Sequence, residues 1–135
     1  MRAIAPVILV GVLAVASCGP SPAEETADLC RDLGNLRGTL GFLDAPPSGA
    51  TVGQVRGSVD RLDPTFTRLS GDDEIPTDVT ARLIGAQDAY REALDPYGDD
   101  EPITTVSREL YEPARRLHDA VRSVLTQLGC DAGAG

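Results

Sequence analysis

Leu29, Leu33, Leu36, Leu40 and Leu43 follow one another at spacings of four, three, four and three. Residues so spaced share one face of a helix; on a strand, same-face residues are two apart. Three further seams repeat the pattern: Val52, Val55, Val59, Leu62, Phe66 and Leu69; then Val79, Leu83, Ala86, Tyr90 and Leu94; then Ile103, Val106, Leu110, Leu117, Val121, Val124 and Leu128. No stretch alternates with period two, so the sequence predicts helices and no strands.

Punctuation residues set the expected bounds. Ser21-Pro22-Ala23-Glu24 and Thr51-Val52-Gly53-Gln54 are capping-box patterns, in which a hydroxyl and a carboxylate or amide reciprocally satisfy free amides at a helix start. Ala45 to Gly49, Ser70 to Pro76, and Pro96 with Gly98 read as breaks, and Gly129 suits the position just past a helix. The expected helices are therefore about 22–44, 51–69, 77–95 and 102–128. Short connections between amphipathic helices predict an antiparallel up-down four-helix bundle. Pro64 and Pro113 either kink these helices or break them into a five- or six-helix arrangement. Residues 131–135 are expected to be disordered.

The first 17 residues precede this domain. Arg2 is followed by a nearly all-apolar run from Ile4 to Ala16. That run is shorter than the roughly 20 residues a membrane-spanning helix needs. A basic start, a short apolar core and small closing residues are the parts of a secretory signal. The run closes on Val15-Ala16-Ser17-Cys18, which resembles the lipobox of bacterial lipoproteins. The resemblance implies a diacylglyceryl group on the Cys18 thiol and cleavage before that residue. It divides the chain into a signal peptide (1–17), a lipidated tether (18–21), a helical domain (22–130) and a tail (131–135). Two or more acyl chains hold a protein stably at a membrane, whereas one does not. The implied location is the extracytoplasmic face of the cell membrane.

With Cys18 carrying lipid, Cys30 and Cys130 remain as an even pair in an exported protein, where oxidation is favoured. Four antiparallel helices would bring the start of the first beside the end of the last. A Cys30–Cys130 disulfide is expected there, with its Cα atoms about 4.4–6.8 Å apart.

Removing the first 17 of 135 residues leaves 118, the size of one small domain. All 21 acidic residues lie after Cys18, and the net charge of −9 becomes −10 once Arg2 is removed. So negative a chain is not expected to bind nucleic acid or to grip anionic lipid through charge. Every basic residue is Arg, a bias of GC-rich coding. The mature part loosely resembles the small helical secreted proteins and lipoproteins of actinobacteria, with a cysteine early and another at the end, Ile75-Pro76-Thr77-Asp78-Val79 as a helix start, and Gly129-Cys130 at the close. That resemblance transfers no site residues.

The sequence holds no catalytic constellation. His118 is the sole histidine, too few for a zinc site without free thiols, and it is expected at the surface or at the core boundary. No serine lies in a nucleophile-elbow pattern, and neither a phosphate loop nor a dinucleotide fingerprint is present. Asp72-Asp73-Glu74 and Asp99-Asp100-Glu101 match no EF-hand and are expected to be solvated loop charge. Tyr90, Tyr97 and Tyr111 are expected in or beside the core. No metal or cofactor is expected.

Glycines suggest one contact. Gly38 and Gly41 lie one residue past the leucine seam of the first expected helix, and Gly53 and Gly57 one residue past the valine seam of the second. A hairpin centred between Pro47 and Ser48 sets Gly38 opposite Gly57 and Gly41 opposite Gly53. The expectation is that these two helices are the closest pair and touch through the four glycines.

Two functions fit. The favoured expectation is a non-enzymatic module that binds another protein of the cell envelope, which calls for an exposed apolar or Arg-lined patch. The alternative is a binder of a small apolar or lipid-like ligand, which calls for an enclosed cavity of about 300 Å³ or more.

Overall fold

In the computed structural model, which describes residues 21–130, both capping boxes form. Ser21 Oγ accepts the Glu24 amide at 3.3 Å, and the Glu24 carboxylate accepts the Ser21 amide at 3.3 Å. Thr51 and Gln54 repeat the exchange at 3.3 and 3.0 Å. The fold is all-α, with α1 (Pro22–Asn35), α2 (Arg37–Asp44), α3 (Val52–Asp60), α4 (Asp63–Ser70), α5 (Thr77–Leu94), a 3-10 turn (Ile103–Thr105) and α6 (Ser107–Leu128).

Six α-helices replace the four expected spans. The first span divides at Leu36, whose amide is shared between the carbonyls of Asp32 and Leu33. Gly34 and Gly38 flank the break, and each weakens a helix by about 1 kcal/mol relative to Ala. The second span divides at Arg61–Leu62, two residues before Pro64. Pro64 itself sits in the first turn of α4, where its missing N–H costs nothing. Pro113 lies inside α6, which runs on through it. The expected fourth helix starts late, because its first residues wind as the 3-10 turn.

Every residue of the second, third and fourth seams is buried. In the first, Leu29, Leu33 and Leu43 are buried, while Leu36 and Leu40 are half-buried against the core. The most extensive helix pairing is α5 with α6.

Cross-links fix the two ends of the domain. At one end Cys30 is bonded to Cys130, with a Cα separation of 5.7 Å. Arg68 of α4 pairs there with Asp32 of α1, and Thr26 donates to Glu74 at 3.2 Å. At the other end the segment before α3 lies along the segment before α6. Val52 N–H donates to Glu101 O at 2.9 Å, Gly53 N–H to Asp99 O at 3.0 Å, and Ile103 N–H to Ala50 O at 2.9 Å. Arg56 of α3 closes the end of α5, donating to the Leu94 and Tyr97 carbonyls at 3.1 Å each. The α1–α2 segment therefore runs from the disulfide end to the loop end, and α6 runs back.

Gln87 of α5 is buried, a polar residue that the apolar seam gives no reason to single out. Its Nε2 donates to Val59 O at 3.1 Å and Asp63 Oδ1 at 2.7 Å, so it bridges the break between α3 and α4. Arg91, one helical turn on, pairs with Asp60 and Asp63 across the same break.

Candidate binding groove

The opposed directions of α2 and α6 leave a groove between them of about 300 Å³. Its apolar lining comes from Leu40 and Leu43 of α2 and from Ala114, Leu117, Val121 and Leu125 of α6. Leu43, Ala114, Leu117 and Val121 are buried and form its floor, and Leu40 and Leu125 are half-buried at its sides. Gly41 also lines the groove, and a Cβ placed there would meet nothing within 4 Å. The groove is partly open to solvent rather than enclosed.

Charged residues complete the rim: Arg37 and Asp44 from α2, His118 and Arg122 from α6. Five of the eleven described arginines answer a carboxylate. Arg31 pairs with Asp28, Arg56 with Asp99, Arg68 with Asp32, Arg82 with Asp78, and Arg91 with Asp60 and Asp63. Among the described residues Arg61, Arg108, Arg115 and Arg116 form no ion pair, and neither do the two arginines of the groove, Arg37 and Arg122. Because α2 and α6 run in opposite directions, Arg37 at the start of α2 and Arg122 near the end of α6 both lie toward the disulfide end of the groove. Asp44 and Ala114 lie toward the loop end.

One wall is held from below. Tyr90 is buried on α5, and its hydroxyl donates to the Leu43 carbonyl at 2.7 Å. Burial pushes the Tyr90 phenol well above its ordinary range, with the nearby Asp44 carboxylate adding to the shift. The phenol stays protonated and remains a donor.

The other residues singled out in the sequence fall as follows. Cys18 lies outside the described residues. Cys30 and Cys130 are joined as expected. Gly129 adopts φ 67°, with its amide bonded to Thr126 O at 3.1 Å and the Cys130 amide to Leu125 O at 2.9 Å, the Schellman arrangement that delivers Cys130 to its partner. His118 is exposed at the groove rim. Tyr90 is buried and Tyr97 half-buried, but Tyr111, expected in or beside the core, is 65% exposed. Asp99 serves as a connector, held by Arg56 and accepting from Gly53. Among the described residues no group of three or more His, Cys, Asp or Glu side chains could hold a metal ion, and no helix is long and apolar enough to cross a membrane.

The glycine contact is not there. A Cβ on Gly38, Gly41 or Gly57 would meet nothing within 4 Å. A residue one past the seam is rotated by about 100° from it. With Leu43, Val52, Val55 and Val59 turned into the core, these glycines are carried outward. Gly38, Gly53 and Gly57 line a wide trough of about 880 Å³ between α2 and α3 instead of a tight seam. Only Gly53 is closely approached, and by the loop before α6: a Cβ there would stand 2.9 Å from Asp99 Cβ and 3.1 Å from Asp99 O.

The groove itself was not legible beforehand. Its signal was the placement of Arg37, His118 and Arg122 beside seam leucines and valines, which becomes informative only once α2 and α6 are known to be neighbours. Comparison with protein families, with curated proteins and with solved structures finds no match.

Proposed function

We propose that the protein is an extracytoplasmic lipoprotein, tethered to the cell membrane through lipid on Cys18, whose helical domain holds a small apolar or lipid-like ligand in the α2–α6 groove without transforming it. In this reading the helices form an up-down bundle of four rods, the first two of them broken. Cys18 lies three residues before the Ser21 cap of α1, so the disulfide end faces the bilayer.

One observation supports this reading above the others. The buried Leu43, Ala114, Leu117 and Val121 form the floor of a groove flanked by the half-buried Leu40 and Leu125 and by two unpaired arginines, while Tyr111 is the one large hydrophobic residue exposed on the described surface. The groove is open and not the enclosed cavity expected of a ligand binder, yet its volume and apolar lining fit a small ligand.

The runner-up is a module that docks an envelope protein. Arg108, Tyr111, Arg115, His118 and Arg122 are all exposed and spaced three, four, three and four along α6, one stripe beside the groove. That stripe supplies the Arg-lined surface such a module calls for. It lacks the apolar patch that usually accompanies one.

Two experiments test the proposal. Mass spectrometry of membrane-extracted protein should find acylated Cys18 as the first residue, and Cys18→Ser should accumulate as an uncleaved or mislocalised precursor. An unmodified mature terminus elsewhere would overturn the anchor. Crosslinking in membranes from position 118 should capture lipid; capture of one defined protein instead would favour the docking module.

A further inference from the structure

Resting on the ligand-binding reading, we infer that the groove takes a single-chain anionic amphiphile, a long-chain carboxylate, with its tail over Leu40, Leu43, Leu117 and Val121 and its head between Arg37 and Arg122.

Charge carries the first part of the argument. A protein with net charge −9 repels anions everywhere except where cations are concentrated and free. Six described arginines form no ion pair, and two of them, Arg37 and Arg122, line this one groove, whereas the trough between α2 and α3 is lined by one, Arg61. Guanidinium presents paired N–H donors that match a carboxylate in two parallel hydrogen bonds. Asp44 sets the orientation. It ends α2 about 10 Å along the helix from Arg37, by helix rise alone. A carboxylate head placed at that end would meet a like charge, so the head belongs at the Arg37–Arg122 end and the tail runs toward Asp44 and Ala114.

Size carries the second part. The groove's volume of about 300 Å³ stands at the lower limit of small-ligand sites, which suits one acyl chain and not the two of a phospholipid. Gly41 keeps the space open. With nothing within 4 Å of a Cβ at that position, a longer side chain there would fill the groove without displacing the core.

The test uses the full-length protein in phosphatidylcholine proteoliposomes and two photoreactive probes, a diazirine-bearing palmitate and the matching diazirine-bearing hexadecanol. Palmitate should label peptides containing Leu40, Leu43, Leu117 or Val121. Arg37→Gln with Arg122→Gln should reduce that labelling about tenfold or more, as expected when charge-assisted hydrogen bonds are lost. Gly41→Leu should abolish labelling by both probes while leaving thermal unfolding unchanged or raised. If the alcohol labels as well as the acid and the Arg variant is unaffected, the anionic head is wrong and the apolar groove stands. If neither probe labels the groove, or Gly41→Leu changes nothing, the ligand-binding reading itself falls. Competition by phosphatidylglycerol as strong as by palmitate would overturn the single-chain limit.

Discussion

The Tyr90 hydroxyl donates a 2.7 Å hydrogen bond to the carbonyl of Leu43, tying α5 to the end of α2. Leu43 is also a wall of the groove, so the bond couples the stability of the core to the shape of the site. Tyr90→Phe leaves that carbonyl without its donor and should cost about 1–3 kcal/mol in urea unfolding. The pH dependence follows from the raised pKa. The unfolded chain releases this proton near the ordinary value of 10.0, while the folded one holds it. Stability from this group is therefore complete below about pH 10 and declines as pH rises further. Tyr90→Phe should flatten that alkaline decline; an unchanged slope would contradict the assignment.

The break between α3 and α4 predicts an acid response. The Arg91 hydrogen bond holds the Asp63 carboxyl below its ordinary value of 3.8, helped by the Gln87 amide and opposed by partial desolvation. A lowered folded pKa gives stability that is present above the unfolded value and lost as pH falls through the folded one. Asp63→Asn keeps an acceptor for Gln87 and removes the charge. It should lower stability at pH 7 and flatten the loss below about pH 4, followed by circular dichroism; equal acid slopes would count against the ion pair.

The glycines predict opposite signs for one chemical change. Gly38→Ala and Gly57→Ala meet open space on exposed helical positions and should stabilise by about 0.5–1 kcal/mol. Gly53→Ala drives a methyl against Asp99 and should destabilise by about 1–3 kcal/mol. Thermal unfolding of the three variants checks the pattern. A stabilising Gly53→Ala would mean that the loop before α6 is not docked as described.

The disulfide spans 100 residues of sequence. Replacing both Cys30 and Cys130 by Ser should cost about 4–5 kcal/mol by the chain-entropy argument. Gly129→Ala forces a side chain into the left-handed region and should cost about 1–2 kcal/mol with the disulfide intact. Denaturant unfolding measures both; a loss under 1 kcal/mol for the double Ser variant would show that the crosslink does not constrain the chain as supposed.

The seams and caps were legible because they are local. Ser21 with Glu24, Thr51 with Gln54, and the spacings from Val52 to Leu128 need only residues within one or two helical turns. The breaks were placed wrongly for the same reason. Proline was the strongest local signal, yet Pro64 is harmless in a first turn, and Pro113 is tolerated inside α6. Its loss falls on the carbonyl of Glu109, an exposed residue. Leu36 breaks a helix through the weakness of Gly34 and Gly38 around it, a quieter signal. Tertiary partners were not legible at all. Gln87, Tyr90 and Arg56 each bond to groups at least 24 residues away, and Gly53 is constrained by Asp99 across the loop end. The groove belongs to this second kind.

The most direct measurement uses the absence of tryptophan from the chain. His118→Trp places a lone indole at an exposed position on the groove rim, and brominated palmitate quenches indole fluorescence only on close approach. With the full-length variant in phosphatidylcholine proteoliposomes, quenching should saturate at low fatty-acid loading, and Gly41→Leu in the same protein should remove the saturable part. Quenching that rises linearly with loading, or that is the same with and without Gly41→Leu, would contradict the groove as the binding site.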